Sequence, residues 1–201
     1  MSAPNTNIAD ARFDTLKIER SNDAVTVCLN RPNARNAMSM QMCHDVIATF
    51  AAMRFDAGIR LVLVRGAGPV FCSGIDLKEM KGQSRNWMLK RRNLGLDAFM
   101  AIETCAAPVV AIVQGAVVGA GCEIMAACDF TLAAENTRFQ WPEVVWGAVG
   151  ATQRLPRSCS HRSQRSTSCM CPIRARPKSA PRSSPAMRRC SSTARLLRCR
   201  S

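Results

Sequence analysis

Apolar positions along the chain fall into strand-like runs separated by stretches with helical spacing. The clearest runs are 24–29 (AVTVCL), 60–65 (RLVLVR) and 108–113 (PVVAIV), each nearly continuous in apolar side chains. A strand that is apolar on both faces is typical of a parallel sheet covered on each side. The pattern predicts these three buried strands, two strand-like runs within 14–29, and another strand at 130–133.

Helical spacing occupies the segments between these runs. In 40–55 the apolar residues recur every three or four positions, and Ser39 stands where an N-cap residue is expected. A more polar helix is predicted over 83–104 and a short apolar helix over 120–128. Strands that alternate with helices in this way indicate an α/β fold with a mostly parallel sheet.

The charge of the chain is concentrated at one end. The 201 residues carry a formal net charge of +14, but residues 158–201 contain eleven Arg and Lys and no acidic residue. Residues 1–157 hold the other seventeen basic and all fourteen acidic residues, a net charge of +3. The body is therefore mildly basic, and we expect no nucleic-acid partner.

Residues 158–201 differ from the body in pattern as well as in charge. They are rich in Ser, Arg, Cys and Pro and lack an aliphatic pattern, so they bury too little apolar surface to offset the entropy of ordering. One interpretation is a basic tail that contacts nucleic acid or acidic surfaces. The other is a reading-frame shift in a GC-rich gene, which the broken helical pattern at 152–157 favours. We accordingly divide the chain into a polar segment 1–13, a body 14–157 and this tail.

Cysteine usage and hydropathy exclude several classes of protein. Six of the eleven cysteines lie among apolar residues of the body, where a free thiol acts as a small hydrophobe. The Cys and His residues of the tail fit no structural zinc spacing, so we expect no metal site. The chain opens on a polar, mixed segment, and no run approaches eighteen apolar residues, which predicts a cytoplasmic protein with no membrane partner.

Three short motifs carry candidate chemistry. Residues 115–123 (GAVVGAGCE) are a small-residue turn leading into a helix, and residues 71–76 (FCSGID) are a turn after a Gly-Pro loop. Backbone N–H groups in such turns can approach a ligand closely, and a helix start adds partial positive charge. Two of these turns would form an oxyanion hole for a thioester oxygen. Close helix–strand packing and an ordinary turn are the alternative interpretations.

The third motif, residues 139–143 (FQWPE), supplies a second carboxylate. Glu143 follows a short strand that ends at Pro142, and it lies twenty residues after Glu123, which closes the small-residue motif. Two carboxylates beside an oxyanion hole suit general acid/base chemistry, in which one activates a water molecule and the other delivers a proton. Alternatively, Glu123 only stabilises the first turn of its helix, and Glu143 is a solvated loop carboxylate.

In this order the motifs resemble those of the crotonase superfamily, the enoyl-CoA hydratase/isomerase family. The resemblance covers about residues 14–157. Its further segments are 29–37 (LNRPNARNA), 77–80 (LKEM), 107–114 (APVVAIVQ) and 152–155 (TQRL). It implies a repeated ββα spiral, whose usual C-terminal helical region is replaced here by the basic tail, and an acyl-coenzyme A thioester as the bound molecule.

The resemblance also implies a role for individual residues. The oxyanion donors match the backbone N–H groups of Ile75 and Ala120, and the two catalytic glutamates of hydratases match Glu123 and Glu143. The residues that correspond to the coenzyme A site are Asn33, Ala34, Arg35, Ser73, Ile75, Asp76, Leu77 and Lys78.

The two glutamates favour one reaction within this family. Having both implies a lyase that hydrates a 2-enoyl-CoA to a 3-hydroxyacyl-CoA in fatty acid metabolism, with no cofactor beyond the coenzyme A of the substrate. The alternatives are an enoyl-CoA isomerase, another crotonase reaction, or a non-catalytic remnant. Without the C-terminal helices we expect impaired activity and no regular homotrimer or hexamer.

Overall fold

The described part of the chain, residue 8 and residues 12–145 of this computed structural model, is built on two sheets flanked by helices. Its strands are β1 (Leu16–Ser21), β2 (Ala24–Leu29), β3 (Leu61–Gly66), β4 (Val109–Val113), β5 (Ala116–Val118), β6 (Phe130–Ala133) and β7 (Arg138–Gln140). Its helices are α1 (Met40–Met53), α2 (Leu77–Met80), α3 (Arg85–Glu103), α4 (Ala120–Ala127) and α5 (Pro142–Val145).

The larger sheet has the strand order β1-β2-β3-β4-β6. Only β1 runs antiparallel, joined to β2 by a tight turn in which Asn22 has a φ of +53°. The other neighbours are parallel, in a register that aligns Val25 with Val62 and Val62 with Val109. The mostly parallel α/β fold expected from the apolar runs is therefore confirmed.

The core lies on one face of this sheet, under α1 and α3. The strands present Val27, Val64 and Ala111 to that face, each at most 1% exposed. Met42 of α1 and Phe99 of α3 pack against them and are 0% and 2% exposed. Alternation of buried and half-buried residues along β3 and β4 shows that their second face is only partly covered within the described residues.

Helix α1 begins where the sequence predicts. Ser39 Oγ accepts a hydrogen bond from the Met42 N–H at 3.1 Å, so the N-cap prediction is confirmed. A second acceptor comes from α2, since Glu79 Oε2 lies 2.9 Å from the Met40 nitrogen. This contact fixes α2 to the start of α1, although the sequence pattern gave no sign of α2.

The smaller sheet consists of β5 and β7, which pair in parallel with Val117 opposite Phe139. Isolated bridges connect it to the rest of the fold through the loop after β3: Cys72 pairs with Val117, and Ile75 pairs with Met38. The loop between β3 and α2 therefore lies between the two sheets.

Several sequence expectations concern residues beyond this part of the chain. The boundary at 157, the basic tail and the replaced C-terminal helices lie outside the described residues. Among the described helices, none combines the length and the hydropathy needed to cross a membrane.

The packing of α3 gives a test of the core. Phe99 is 2% exposed and Leu89, on the same helix, is 50% exposed. Phe99→Ala should lower the free energy of unfolding by about 3–5 kcal/mol because it leaves a cavity. Leu89→Ala should change it by no more than about 0.5 kcal/mol. Urea unfolding of both variants measures the difference, and equal losses would contradict this packing.

Candidate active site

Two backbone turns meet where β5 runs into α4. The Cys72 N–H donates to Ala116 O at 3.3 Å, and the Val118 N–H donates to Cys72 O at 3.0 Å. Gly121 allows the approach, because a Cβ at that position would lie 2.7 Å from Cys72 O and 2.9 Å from Cys72 Cβ. The turn after β3 is thereby held against the first turn of α4.

The Ile75 N–H is left free by the way this turn is bonded. The Met38 N–H donates to Gly74 O at 2.8 Å, and the Asp76 N–H donates to Met38 O at 3.2 Å. Successive N–H groups of an extended segment point to opposite sides, so the Ile75 N–H faces away from Met38. Among the described residues it has no acceptor, as a donor to a ligand requires.

The Ala120 N–H is free for a different reason. Gly119, with φ +48°, precedes α4, and its carbonyl accepts from the Cys122 and Glu123 N–H groups at 2.8 Å and 3.1 Å. Ala120 is the first helical residue, so its N–H has no intrahelical acceptor. No other described residue supplies one. Both N–H groups named from the sequence therefore lie on adjoining turns, and neither has an acceptor within the part of the chain that the structure describes.

The carboxylate of Glu143 lies against the start of α4. A Cβ on Gly119 would collide with Glu143 Oε1 and lie 3.2 Å from its Cδ. Glu143 is half-buried, and its buried Oε2 has no hydrogen-bond partner within the described residues. Pro142 opens α5 rather than a loop, so the alternative of a solvated loop carboxylate is wrong for Glu143.

Glu123 lies in the first turn of α4 and is 7% exposed. The charges of both carboxylates affect the pKa of the neighbouring Cys122 thiol. Burial first, with further contributions from the charges of Glu143 and Glu123, raises the pKa of the Cys122 thiol to about 12. The two carboxylates thus act on one buried thiol. That thiol stays protonated at neutral pH and is not a nucleophile.

Cys122 also helps to hold the end of β7 in place. Its Sγ lies 3.0 Å from Val117 O and 3.5 Å from Gln140 O. Gln140 O accepts in addition from the Gly119 N–H at 2.9 Å. Because Gln140 is three residues before Glu143, these bonds set where that carboxylate can lie.

An ion pair that the sequence did not reveal supports the turn at Ile75. Arg31 Nη2 lies 3.0 Å from Asp76 Oδ2, and Arg31 Nη1 donates to Ala37 O at 2.6 Å. Asn36, fully buried, accepts from the Arg31 N–H and donates to Ala67 O and Val70 O. The Asn-Arg-Pro segment is visible in the sequence, but its partner Asp76 lies 45 positions later.

The residues expected to contact coenzyme A fall into two adjoining segments. Asn33 and Ala34 belong to a short 3-10 turn, Pro32–Ala34, and Arg35 follows it with φ +51°. The Ser73 N–H donates to Arg35 O at 3.1 Å, which places this turn beside the segment that contains Ser73, Ile75, Leu77 and Lys78.

These segments differ in what they leave available to a ligand. Asn33, Arg35, Leu77 and Lys78 are exposed. Asp76 is not, since its carboxylate is taken up by Arg31 and by the Lys78 N–H, which it caps at the start of α2. Its side chain therefore stabilises the turn. Within the described residues no group of three or more Cys, His, Asp or Glu side chains is placed to hold a metal ion.

Comparison with known proteins gives consistent matches. A family profile described as enoyl-CoA hydratase/isomerase matches residues 19–178. A crotonyl-CoA hydratase of Syntrophomonas wolfei is 33% identical over 72% of this chain and 57% of its own length. The mitochondrial Delta(3,5)-Delta(2,4)-dienoyl-CoA isomerase of Homo sapiens is 34% identical over 77% of this chain and 52% of its own length.

Solved structures agree with these sequence matches. An enoyl-CoA hydratase from Bacillus anthracis superimposes with a TM-score of 0.69 at 30% identity, covering 72% of this chain and 58% of that one. The chain therefore spans little more than half the length of the proteins it matches.

The contact between Gly119 and Glu143 predicts the effect of adding one methyl group. Gly119→Ala should lower the free energy of unfolding by about 1–3 kcal/mol through backbone strain at positive φ. It should also displace the Glu143 carboxylate, which a crystal structure of the variant would show.

Gly82→Ala is the matched control. Gly82 has φ +76°, but an added Cβ would meet nothing within 4 Å. The Gly82→Ala variant should also lower the free energy of unfolding through strain at positive φ, but it should leave the Glu143 carboxylate in place. An unmoved Glu143 in the Gly119→Ala structure would contradict the described contact.

Proposed function

Because the chain belongs to the enoyl-CoA hydratase/isomerase family, we propose that it is a hydratase-like lyase that adds water to a 2-enoyl-CoA and gives a 3-hydroxyacyl-CoA. One observation carries the proposal. The Glu143 carboxylate lies against Gly119, beside the free Ala120 N–H, with Glu123 one helical turn along α4. The names of the hydratases among its relatives support the same reaction.

The two free N–H groups would bind the thioester oxygen. When water adds to C3 of the enoyl group, the electrons of the double bond move toward this oxygen, which gains the charge of an enolate. Donors that are fixed before the reaction stabilise this charge without reorganising. Ile75 and Ala120 are held in this way, by the Met38 pairing and by the start of α4.

The two glutamates would handle the protons. One carboxylate accepts a proton from the attacking water as its oxygen bonds to C3. The other, in its protonated form, gives a proton to C2 as the enolate collapses back to the thioester. The product then carries a hydroxyl on C3 and one new hydrogen on C2. Glu123 is 7% exposed and Oε2 of Glu143 is buried, which limits the access of bulk water to these atoms.

The coenzyme A part of the substrate would lie along two adjoining segments, the second of which includes the turn at Ile75. Asn33, Ala34 and Arg35 form one side, and the segment from Ser73 to Lys78 forms the other. Arg35 and Lys78 are exposed cations suited to phosphate groups. No other cofactor is required by this chemistry. A cytoplasmic location, a role in fatty acid metabolism and the absence of a regular trimer stay predictions.

A second candidate is isomerisation of an enoyl-CoA double bond. It is favoured by the similarity to the human dienoyl-CoA isomerase, at 34% identity. An isomerase needs the same oxyanion hole, but moves a proton between two carbons and adds no water. The two reactions therefore separate in their dependence on a second carboxylate.

Glutamate-to-glutamine variants distinguish these reactions. Glu123→Gln and Glu143→Gln should each lower the hydration of crotonyl-CoA by about 10²–10⁴-fold, the usual contribution of a general acid or base. Binding of coenzyme A thioesters should persist, because the neutral isostere keeps the shape of the site. The loss of crotonyl-CoA absorbance measures hydration, and isothermal titration measures binding. Unchanged hydration in Glu143→Gln, with isomerisation present, would replace the hydratase by the isomerase.

The oxyanion donor on α4 can be removed without a break in the helix. Proline is tolerated at the first helical position, so Ala120→Pro deletes the N–H and leaves α4 able to form. It should lower kcat by about 10²–10³-fold. Ala120→Ser keeps the donor and should be far milder. Equal losses of kcat in both variants would mean that the space at position 120 matters and the N–H does not.

A further inference from the structure

Arg91, in the middle of α3, is a buried cation that the proposed chemistry does not use. It is 6% exposed, and its Nη2 donates to Met38 O at 2.6 Å. Its Nε has no hydrogen-bond partner in the described part of the chain. No carboxylate of the described residues lies within ion-pair distance of it.

Packing alone does not account for a guanidinium at this position. Removal of a charge from water is costly, and an ion pair or a full set of hydrogen bonds normally offsets the cost. Arg91 has one short bond to a carbonyl and one buried N–H without an acceptor. An apolar side chain would fill the space between α1 and α3 without that penalty.

The carbonyl that Arg91 binds is the one that orients the oxyanion turn. Met38 O also accepts from the Asp76 N–H at 3.2 Å, and the Met38 N–H donates to Gly74 O at 2.8 Å. These two bonds fix the residues on either side of Ile75. The position of the Met38 peptide therefore sets the direction in which the Ile75 N–H points.

Two guanidinium groups hold consecutive carbonyls of this segment. Arg31 Nη1 donates to Ala37 O and Arg91 Nη2 donates to Met38 O, both at 2.6 Å. Consecutive carbonyls of an extended chain point in opposite directions, so the two cations hold the segment from opposite sides. Charge-assisted bonds of this length are stronger than neutral ones.

We propose that Arg91 is a positioning residue for the oxyanion hole, which through the Met38 carbonyl holds the Ile75 N–H in the direction that the thioester oxygen needs. The expected effect of Arg91 on kcat rests on the proposed function. The restraint on the turn itself can be measured without turnover.

The test compares Arg91→Met, Arg91→Gln and Arg91→Lys. Arg91→Met keeps the volume and loses the donor, and it should lower kcat for crotonyl-CoA by about 10–100-fold, part of the loss expected when one oxyanion donor is removed. KM should stay within about threefold, because the exposed cations assigned to the phosphates of coenzyme A, Arg35 and Lys78, make no bond to the Met38 peptide. Arg91→Lys retains a charged donor and should recover most of kcat, with Arg91→Gln in between.

Amide hydrogen exchange gives a readout that does not depend on activity. In Arg91→Met the Asp76 N–H, which is bonded to Met38 O, should exchange at least about tenfold faster, while β3 amides keep their rates. Arg20→Met is the control, since it removes a cation of β1 that is paired with Asp56 at 2.6 Å and has no bond to the turn. It should leave both kcat and the Asp76 exchange rate unchanged.

The outcomes separate the two proposals. Normal kcat and normal Asp76 exchange in Arg91→Met would overturn the role of Arg91. Uniformly faster exchange across the sheet, or no recovery in Arg91→Lys, would also overturn it, since either result marks a general loss of packing. If the unmodified chain does not hydrate crotonyl-CoA, the proposed function fails, and faster Asp76 exchange still establishes that Arg91 restrains the turn.

Discussion

The arrangement of the candidate site depends on the contact between the Glu143 carboxylate and the backbone at Gly119. It requires a residue without a side chain at position 119, in a conformation that L-residues avoid, directly before a helix. The Ala120 N–H that follows has no acceptor among the described residues, and Glu123 lies in the same first turn of α4. One backbone position thereby relates the proposed oxyanion donor to both carboxylates.

A second group of interactions acts on the turn around Ile75, whose N–H is the other proposed donor. The turn around Ile75 is held by backbone pairing with Met38 and by the guanidinium groups of Arg31 and Arg91. Its one side-chain anion, Asp76, is paired with Arg31. Along residues 74–76, the bonded Gly74 carbonyl and the bonded Asp76 N–H flank the Ile75 N–H, which has no acceptor among the described residues.

The sequence predicts those parts of the molecule that depend on local pattern. The apolar runs identified β2, β3, β4 and β6, and the N-cap at Ser39 followed from its side-chain chemistry. It did not reveal β5, because three residues inside a small-residue motif carry no periodicity. Pro142 was interpreted as the end of a strand, whereas it begins α5, since proline suits both positions.

The pattern of apolar and polar residues could not predict hydrogen bonds between residues far apart in the chain. Arg31 meets Asp76 across 45 positions, and Arg91 meets Met38 across 53. Neither residue stands out in a chain rich in arginine. Glu123 and Glu143 were named as a pair from their motifs, but the position of Glu143 against Gly119 became visible only in the folded arrangement.

The parallel pairing of β5 with β7 has a consequence for synthesis on the ribosome. Strand β5 has its partner 20 or more positions later in the chain, and the helix with Glu123 emerges between the two. A nascent chain that has exposed α4 but not β7 holds Glu123 at the start of α4 without Glu143 against Gly119. Since non-local strand pairing is slow to form, completion of the site is delayed until translation has passed Glu143.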